Sequence, residues 1–540
     1  LALMLACRGG NLNSLPAPLR CGTPSRVGRR KAARALCAAL AAGSTSSCCI
    51  PSMQTLGIGL PRDKATQDQL LGIARGNTPA GTVGELHQKH LLALNLRHAP
   101  GAEGFVPRAY YLPGQNDQRA ACDEQHAFRA DFMLSQAAAI LQQGAQPAAA
   151  AVARAVCRRL LEEKQELQIS EEEWQTLAAY EFEQRVEADC STSGASDETA
   201  LRHREEDVRL LKLIRECVPA LQLELLRRNV WILKPSTGAL GRGIAFVDRM
   251  SGLGSWEATA PGRDRRADDG LGCVIQKYVE RPHLVNPSWR PATPVTAPGT
   301  QTAEAATLGP EDQSASHKYN IRCWVDVLWS AVEPEAWFYQ DGYVEFANSP
   351  YTEDLATPTA HITNLSQLPR QGSSNTDQQP PWMWSMETYQ LHLLEQLKSD
   401  IYETRLFPEM IRITEGALAS ILPAESSEQQ SGERKVRWKR FGLDFLVDED
   451  LKLWLVEFNY NPGMASARGR RGDMKRELVI RFCQDEQRLR DSRAAAHRTG
   501  GGAEVDVQAE GATSPADERG GAFGFLRLCI PEWYMRSPAV

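Results

Sequence analysis

Three hard oxygen donors, Asp444, Glu457 and Asn459, interrupt an otherwise apolar stretch between Phe441 and Gly463. The stretch reads as two strands, Leu443 to Val447 and Leu451 to Asn459, joined by the acidic turn Asp448 to Asp450. Glu457 and Asn459 are two apart, which on a strand puts both side chains on one face. If Asp444 on the neighbouring strand faces the same way, the three suit Mg2+, which prefers carboxylate and carbonyl oxygens and keeps its other positions for water and phosphate. The alternative is a polar strand end with solvated acids, but acids in so apolar a setting are costly to bury unpaired.

Three upstream elements carry further polar groups. In Asn229-Val-Trp-Ile-Leu-Lys-Pro-Ser-Thr-Gly-Ala-Leu-Gly-Arg-Gly-Ile244 a strand ends in Lys234, and a loop with Gly238, Gly241 and Gly243 follows. Glycines let backbone N–H groups approach phosphates and an adjacent lysine neutralises their charge, although an ordinary turn has the same composition. It is not a P-loop, since GxxxxGK[ST] is absent. In Cys273-Val-Ile-Gln-Lys-Tyr-Val-Glu-Arg-Pro282 a strand runs into a Pro-ended loop; its backbone edge, Gln276 and Lys277 could meet an adenine, or form a plain edge strand. In Lys318-Tyr-Asn-Ile-Arg-Cys-Trp324 alternation places Lys318, Asn320, Arg322 and Trp324 on one face. Cation, amide and cation in a row suit phosphate or carboxylate, or else a solvated face.

The elements that must position these groups are helices first and strands later. Phe105 to Pro113 is apolar and Pro-bounded, followed by a helix from about Asp123 to Gln143. Residues 145–183 read as an Ala-rich helix, then Leu160 to Gln168, then Glu171 to Phe182 behind the capping pattern Ser170-Glu-Glu-Glu173. Asp189 to Asp197 reads as a loop, and Arg202 to Leu226 as a helix with Val208, Leu211, Ile214 and Cys217 at helical spacing. Strands are expected at Val230 to Leu233, Cys273 to Val279, Ile321 to Leu328, Ala336 to Tyr339 and Tyr343 to Phe346. Residues 251–270 and 286–317 read as low-complexity insertions, Met386 to Leu397 and Phe407 to Leu422 as helices, and 491–522 as disordered.

At 540 residues, 42% hydrophobic and with mean hydropathy −0.39, the chain describes a soluble protein of several domains. No run reaches the roughly 18 apolar residues of a membrane span. The net charge of −6 names no partner by itself, and no base-reading module for nucleic acid is present. The 13 cysteines form no paired CxxC framework, which fits a reducing compartment rather than a zinc ribbon or disulfide scaffold. Residues 1–62 contain no Asp or Glu and suit either a transit peptide or a basic arm; a disordered basic region over 1–103 is the expectation taken forward.

Taken in order, these words resemble an ATP-grasp ligase, and more narrowly the tubulin tyrosine ligase-like family. The matching words are Trp231-Ile-Leu-Lys-Pro, Gly241-Arg-Gly-Ile, Val274-Ile-Gln-Lys-Tyr-Val-Glu-Arg-Pro, His361-Ile-Thr-Asn364 and Trp454-Leu-Val-Glu-Phe-Asn459, within a resemblance covering about 104–485. Phe105-Val-Pro-Arg108, Ala336-Trp-Phe-Tyr339 and Pro381-Trp-Met-Trp384 are similar to the branch that attaches glycine. The resemblance implies an α+β ATP-grasp fold: a largely helical N-terminal domain over 104–228, a central domain over 229–316, a C-terminal domain with the metal site over 317–490, and a mostly disordered tail over 491–540. It implies that ATP phosphorylates a carboxylate and that an amine, here glycine, attacks the acyl phosphate. Lys234 and Lys318 would hold phosphates, with Gly238, Gly241, Arg242, Gly243 and Asn320 beside the nucleotide. Gln276, Lys277, Tyr278 and Val279 would line the adenine pocket, and Asp444, Glu457 and Asn459 would hold Mg2+. Arg322 would bind the acceptor or the incoming amino acid, with Glu345, Thr363 and Asn364 nearby; Arg322, Lys318 and Glu457 are the expected catalytic residues. The implied partner is the acidic C-terminal tail of tubulin in microtubules, in the cytoplasm and the axoneme of a cilium or flagellum.

Two positions depart from the family pattern. Asn320 stands where the family has Asp, and Glu345 where it has Arg on the strand after Gly342. An acid in place of a carboxylate-binding cation repels that carboxylate. Either the amino-acid pocket is rebuilt, or the protein binds microtubules without catalysing. Arg434-Lys-Val-Arg-Trp-Lys-Arg440, Arg468-Gly-Arg-Arg471 and Lys475-Arg476 are the basic runs available to steer an acidic tail, or to form a solvated face.

Overall fold

The computed structural model describes Leu96 and residues 101–112, 118–143, 147–161, 170–178, 197–222, 226–236, 241, 243–249, 272–290, 316–329, 335–363, 383–426, 437–460, 462–464, 470–498 and 524–528. Nearly all of the basic region, the insertion at 251–270, residues 291–315, and Gly238, Arg242 and Asn364 lie outside them.

Two antiparallel sheets organise the rest, the mixed α+β architecture that the motifs imply. The smaller contains β1 (Ala109–Leu112), β2 (Trp231–Pro235), β3 (Ala245–Val247) and β4 (Cys273–Lys277), in the order β1-β4-β2-β3. Four helices share its core: α1 (Gln118–Gln143), α2 (Pro147–Leu161), α3 (Glu171–Ala178) and α4 (Asp197–Cys217). Ala137, Ala138 and Ala139 are wholly buried in α1, and Phe128 meets Trp231 of β2 edge-on at 5.1 Å. Ser170 and Glu173 close a reciprocal capping box at the start of α3. The helix expected from Arg202 to Leu226 instead runs from Asp197 to Cys217, stopped by Pro219. Its buried face is Leu210, Leu211 and Ile214, and Val208 is exposed.

The larger sheet is built on β6 (His317–Trp329), thirteen residues long. On one edge it pairs with β10 (Arg437–Val447), which pairs with β11 (Leu453–Tyr460). The opposite edge is shared by β8 (Tyr343–Phe346) and β7 (Glu335–Tyr339), while β5 (Leu284–Val285) takes the first two residues of β6. Beyond them lie β9 (Met383–Ser385) and β12 (Phe525–Arg527). Both β6 and β10 begin earlier than the sequence suggests, and Leu451 is not in β11 but at φ 60° in the turn before it. Glycine is needed at Gly342, where a Cβ would stand 2.4 Å from the Arg322 carbonyl oxygen.

Alternation sorts the faces of β6. Tyr319, Ile321, Cys323, Val325 and Val327 enter a core with α5 (Met386–Leu397) and α6 (Phe407–Ser426). On the other face Trp324 packs with Phe482 of α7 (Arg470–Arg498) at 5.3 Å, and Asp326 pairs with Arg440. The helix α7 runs through the start of the segment expected to be disordered. Ion pairs fix it to the sheet: Glu486 with Arg440, Arg481 with Asp341, and Arg493 with Glu335. Residues 286–290 are likewise no loose insertion, since Trp289 packs between Trp384 and His392. No helix among the described residues is long and apolar enough to cross a membrane.

A buried acid ties the entry of β2 to the exit of β4. Glu280 Oε2 accepts the backbone N–H groups of Arg227 (2.8 Å) and Arg228 (2.6 Å). Its Oε1 accepts Val230 N–H at 2.8 Å and the Lys277 ammonium at 2.5 Å. Lys277 also donates to the Val230 carbonyl at 2.9 Å. Burial pulls the Lys277 pKa down, and Glu280 opposes that pull. Glu280→Ala strands a buried ammonium and three backbone donors, and should cost about 3–5 kcal/mol in denaturant unfolding, with Lys277→Met added to it recovering part of the loss. A cost near zero would show that the pair does not hold this junction.

Candidate active site

The site lies where β11 of the large sheet meets β2 and β4 of the small one. Lys234, Val274 and Gln276 on one side, and Leu455, Val456, Glu457 and Phe458 on the other, line a narrow cleft of about 40 Å³. Lys234 spans it: Nζ donates to Gln276 Oε1 at 2.7 Å and to the Val456 carbonyl at 3.1 Å. Gln276 faces the cleft, so its neighbour Lys277 must turn the other way, into the Glu280 anchor. The Lys277 side chain is therefore placed away from the cleft, contrary to the adenine contact expected of it. Gly241 and Gly243, in the loop after Lys234, both adopt positive φ, 69° and 72°.

The second group of residues converges on Asp444 of β10. Asp444 stands opposite Arg322 of β6 and opposite Glu457 of β11, so strand register brings both onto one face. Its Oδ1 accepts Asn320 Nδ2 at 2.9 Å and Arg322 Nε at 2.5 Å. Its Oδ2 accepts Arg322 Nη2 at 2.6 Å and Asn459 Nδ2 at 3.2 Å. The guanidinium thus grips the carboxylate with two parallel bonds. Burial works against the Arg322 charge, but Asp444 outweighs it and holds the pKa well above the usual value. Glu345 of β8 lies directly opposite Asn320 and also helps to hold that charge. Gly442 leaves room for Pro462 and for the Arg322 chain, since a Cβ there would lie 2.7 Å from Pro462.

Lys318 links the two groups. Its Nζ donates to the Tyr278 hydroxyl at 2.9 Å and lies 4.0 Å from that ring's centre. The same hydroxyl is 3.0 Å from His361 Nδ1, and Phe246 packs against both rings. Burial, reinforced by the charge of Lys234, pulls the Lys318 pKa down to about 7. Val279 joins a small cluster with Leu446 and Trp454 beneath the site. Thr363 is half-buried two residues after His361.

The structure therefore brings Lys318, Asn320, Arg322, Glu345, Asp444, Glu457 and Asn459 to one face, with Lys234 and Gln276 across the cleft. The basic runs are less open than the sequence suggests: Arg440 is half-buried and paired with Asp326 and Glu486, and Lys475 is buried over the Tyr343 ring. Sequence reasoning passed over His361 and Glu280, although both stand inside words it singled out. No group of three or more His, Cys, Asp or Glu side chains suited to a metal occurs among the described residues. Two carboxylates and one amide still fit Mg2+, which takes hard oxygens and needs only one or two acids when phosphate supplies the rest.

The sequence profile of the Tubulin-tyrosine ligase family matches residues 163–487, more than half of the chain. The chain is similar to tubulin monoglycylase TTLL3 of Homo sapiens, 27% identical over 274 residues that cover 49% of this chain and 30% of that protein. It is similar to protein monoglycylase TTLL8 of Mus musculus, 24% identical over 301 residues covering 55% of this chain and 30% of that one. Probable tubulin polyglutamylase TTLL9 of Bos taurus is 23% identical over 282 residues, 46% of this chain and 53% of that one. The match thus spans under a third of either monoglycylase and about half of the polyglutamylase.

With its pKa pulled down to about 7 by burial and by Lys234, Lys318 should lose its charge near neutral pH. Its side-chain NMR signal should titrate with a midpoint near that value, and Lys234→Met, which removes a repelling charge, should move the midpoint upward. A midpoint at the ordinary lysine value would show that the ammonium is hydrated rather than buried.

Proposed function

The chain belongs to the tubulin-tyrosine ligase family, and on that premise we propose that it is an ATP-dependent protein–amino acid ligase that attaches glycine to glutamate side chains of tubulin tails. The observation that carries the reading is Lys234 of the small sheet set across the cleft from Glu457, with Asp444, Asn459 and Lys318 on strands of the same large sheet as Glu457. Phosphates bound between Lys234 and Lys318 would have their charge met from both sides of the cleft, and Gln276 and Tyr278 lie beside those lysines. Asp444, Glu457 and Asn459 would hold Mg2+, which neutralises the phosphates when bound. An acceptor carboxylate takes the terminal phosphoryl group of ATP and releases ADP. The amino acid's ammonium gives up one proton, the freed amine nitrogen attacks the acyl carbon, phosphate leaves, and the nitrogen gives up a second proton. The site's own contribution is to hold carboxylate, phosphate and amine together in a partly buried place.

The names of the monoglycylase relatives support glycine, and the polyglutamylase match keeps glutamate as the alternative. In this reading, residues 104–228, 229–316 and 317–490 are the three working parts, and the protein acts on the cytoskeleton, in a cilium or flagellum. A catalytically silent microtubule-binding relative is the second reading, favoured by the buried acid Glu345 on the face that would receive a substrate carboxylate.

Labelled glycine supplied with Mg-ATP should be incorporated into microtubules, and Glu457→Gln should lower the rate about a hundredfold or more. Label from glutamate alone would reassign the amino acid. Silence with glycine, glutamate and tyrosine, while ATP still binds, would establish the second reading.

A further inference from the structure

Resting on the ligase reading, we propose that Asn320 and Glu345 form an ammonium subsite, so that the incoming substrate is a zwitterionic amino acid gripped at both ends: its carboxylate by Arg322 and its ammonium by the Asn320 carbonyl and the Glu345 carboxylate. The orientation of Asn320 is set by its neighbour. An ionised Asp444 accepts only, so the amide nitrogen must be the end that meets it, at 2.9 Å. The carbonyl end then points away from Asp444. That Oδ1 is buried without a hydrogen-bond partner, in a residue only 4% exposed. A buried acceptor left in this way costs stability and is satisfied by an N–H or O–H donor.

Strand register supplies the second acceptor. Glu345 faces Asn320 directly across the β6–β8 pair, so both side chains leave the sheet on one side, and Glu345 is 6% exposed. The same face carries Arg322, whose Nε and Nη2 are engaged by Asp444; Nη1 is the edge a carboxylate can take. Cation, neutral acceptor and anion therefore lie side by side, matching in reverse the carboxylate and ammonium of a small α-amino acid. An anion lacking the ammonium meets Glu345 as a repelling charge, and an amine lacking the carboxylate leaves the Nη1 edge unused. What looks from the sequence like a lost cation is, in this arrangement, a specificity device that selects for the charged amine.

The test is calorimetric binding to the whole protein held with Mg2+ and a non-hydrolysable ATP analogue. Glycine should bind at least about tenfold more tightly than acetate, which lacks the ammonium, and than trimethylglycine, which has the charge but no N–H. Glu345→Gln should weaken glycine about tenfold or more and Glu345→Asp much less, with analogue affinity unchanged in both as proof of folding. Equal affinity for glycine and acetate in the unmodified protein, or unchanged glycine binding in Glu345→Gln, would overturn the subsite and leave the ligase reading standing. Binding of the analogue with no binding of glycine, glutamate or tyrosine would remove the ligase reading and the subsite with it.

Discussion

A carboxylate inside a sheet must be surrounded by donors, and Asp444 is where this protein meets that demand. Four hydrogen bonds from three residues reach its two oxygens. Those residues come from β6 and β11, on either side of β10, so the acid cannot be satisfied until three strands are in register. Two glycines make that register possible. Gly342 lets the turn after β7 rest against the Arg322 carbonyl, and Gly442 lets the Arg322 chain cross β10 beside Pro462. The candidate site and the sheet register thus share one polar network, in which removing a partner exposes a buried charge rather than merely losing a contact.

The anchor at Glu280 plays the corresponding part in the small sheet. Lys277, buried, and Lys234, half-buried, are both strand lysines, yet they have opposite fates. Lys277 is consumed by Glu280 and the Val230 carbonyl, whereas Lys234 reaches across to the other sheet. Only the second is placed where a ligand can compete for it. One lysine fixes the backbone so that the other can be offered to the cleft.

What could be read from sequence followed from local rules. Period-two alternation in Lys318 to Trp324 gave the right faces, because side-chain direction on a strand depends only on the residue's own position. The same rule applied to Gln276 and Lys277 separates them, and only their common polarity suggested a shared role. Pairing register is not local. That Asp444 meets both Arg322 and Glu457, with a bulge just after it, depends on strands more than a hundred residues apart in sequence for the first contact. In α4 the expected stripe of Val208, Leu211, Ile214 and Cys217 holds only in part, since its neighbours bury Leu210, Leu211 and Ile214 and leave Val208 exposed. The C-terminal part of α7 looked disordered by composition, but its Arg493 finds Glu335 on β7, far away in sequence.

The link between the sheets has a mechanical consequence. Tyr278 N–H bonds back to Val230 on the small-sheet side, while His283 N–H bonds to Val447 and Glu449 N–H to the Arg281 carbonyl on the large-sheet side. Only a few residues around Val279 to Pro282 separate these fastenings. This crossing is one of two, since Leu455 N–H also bonds to the Phe105 carbonyl just before β1, so any opening of the cleft would bend both, with the Lys234 bond to the Val456 carbonyl as a latch. A phosphate drawing Lys234 toward itself would lift that latch, so occupation of the cleft and freedom of the two sheets to move are mechanically joined.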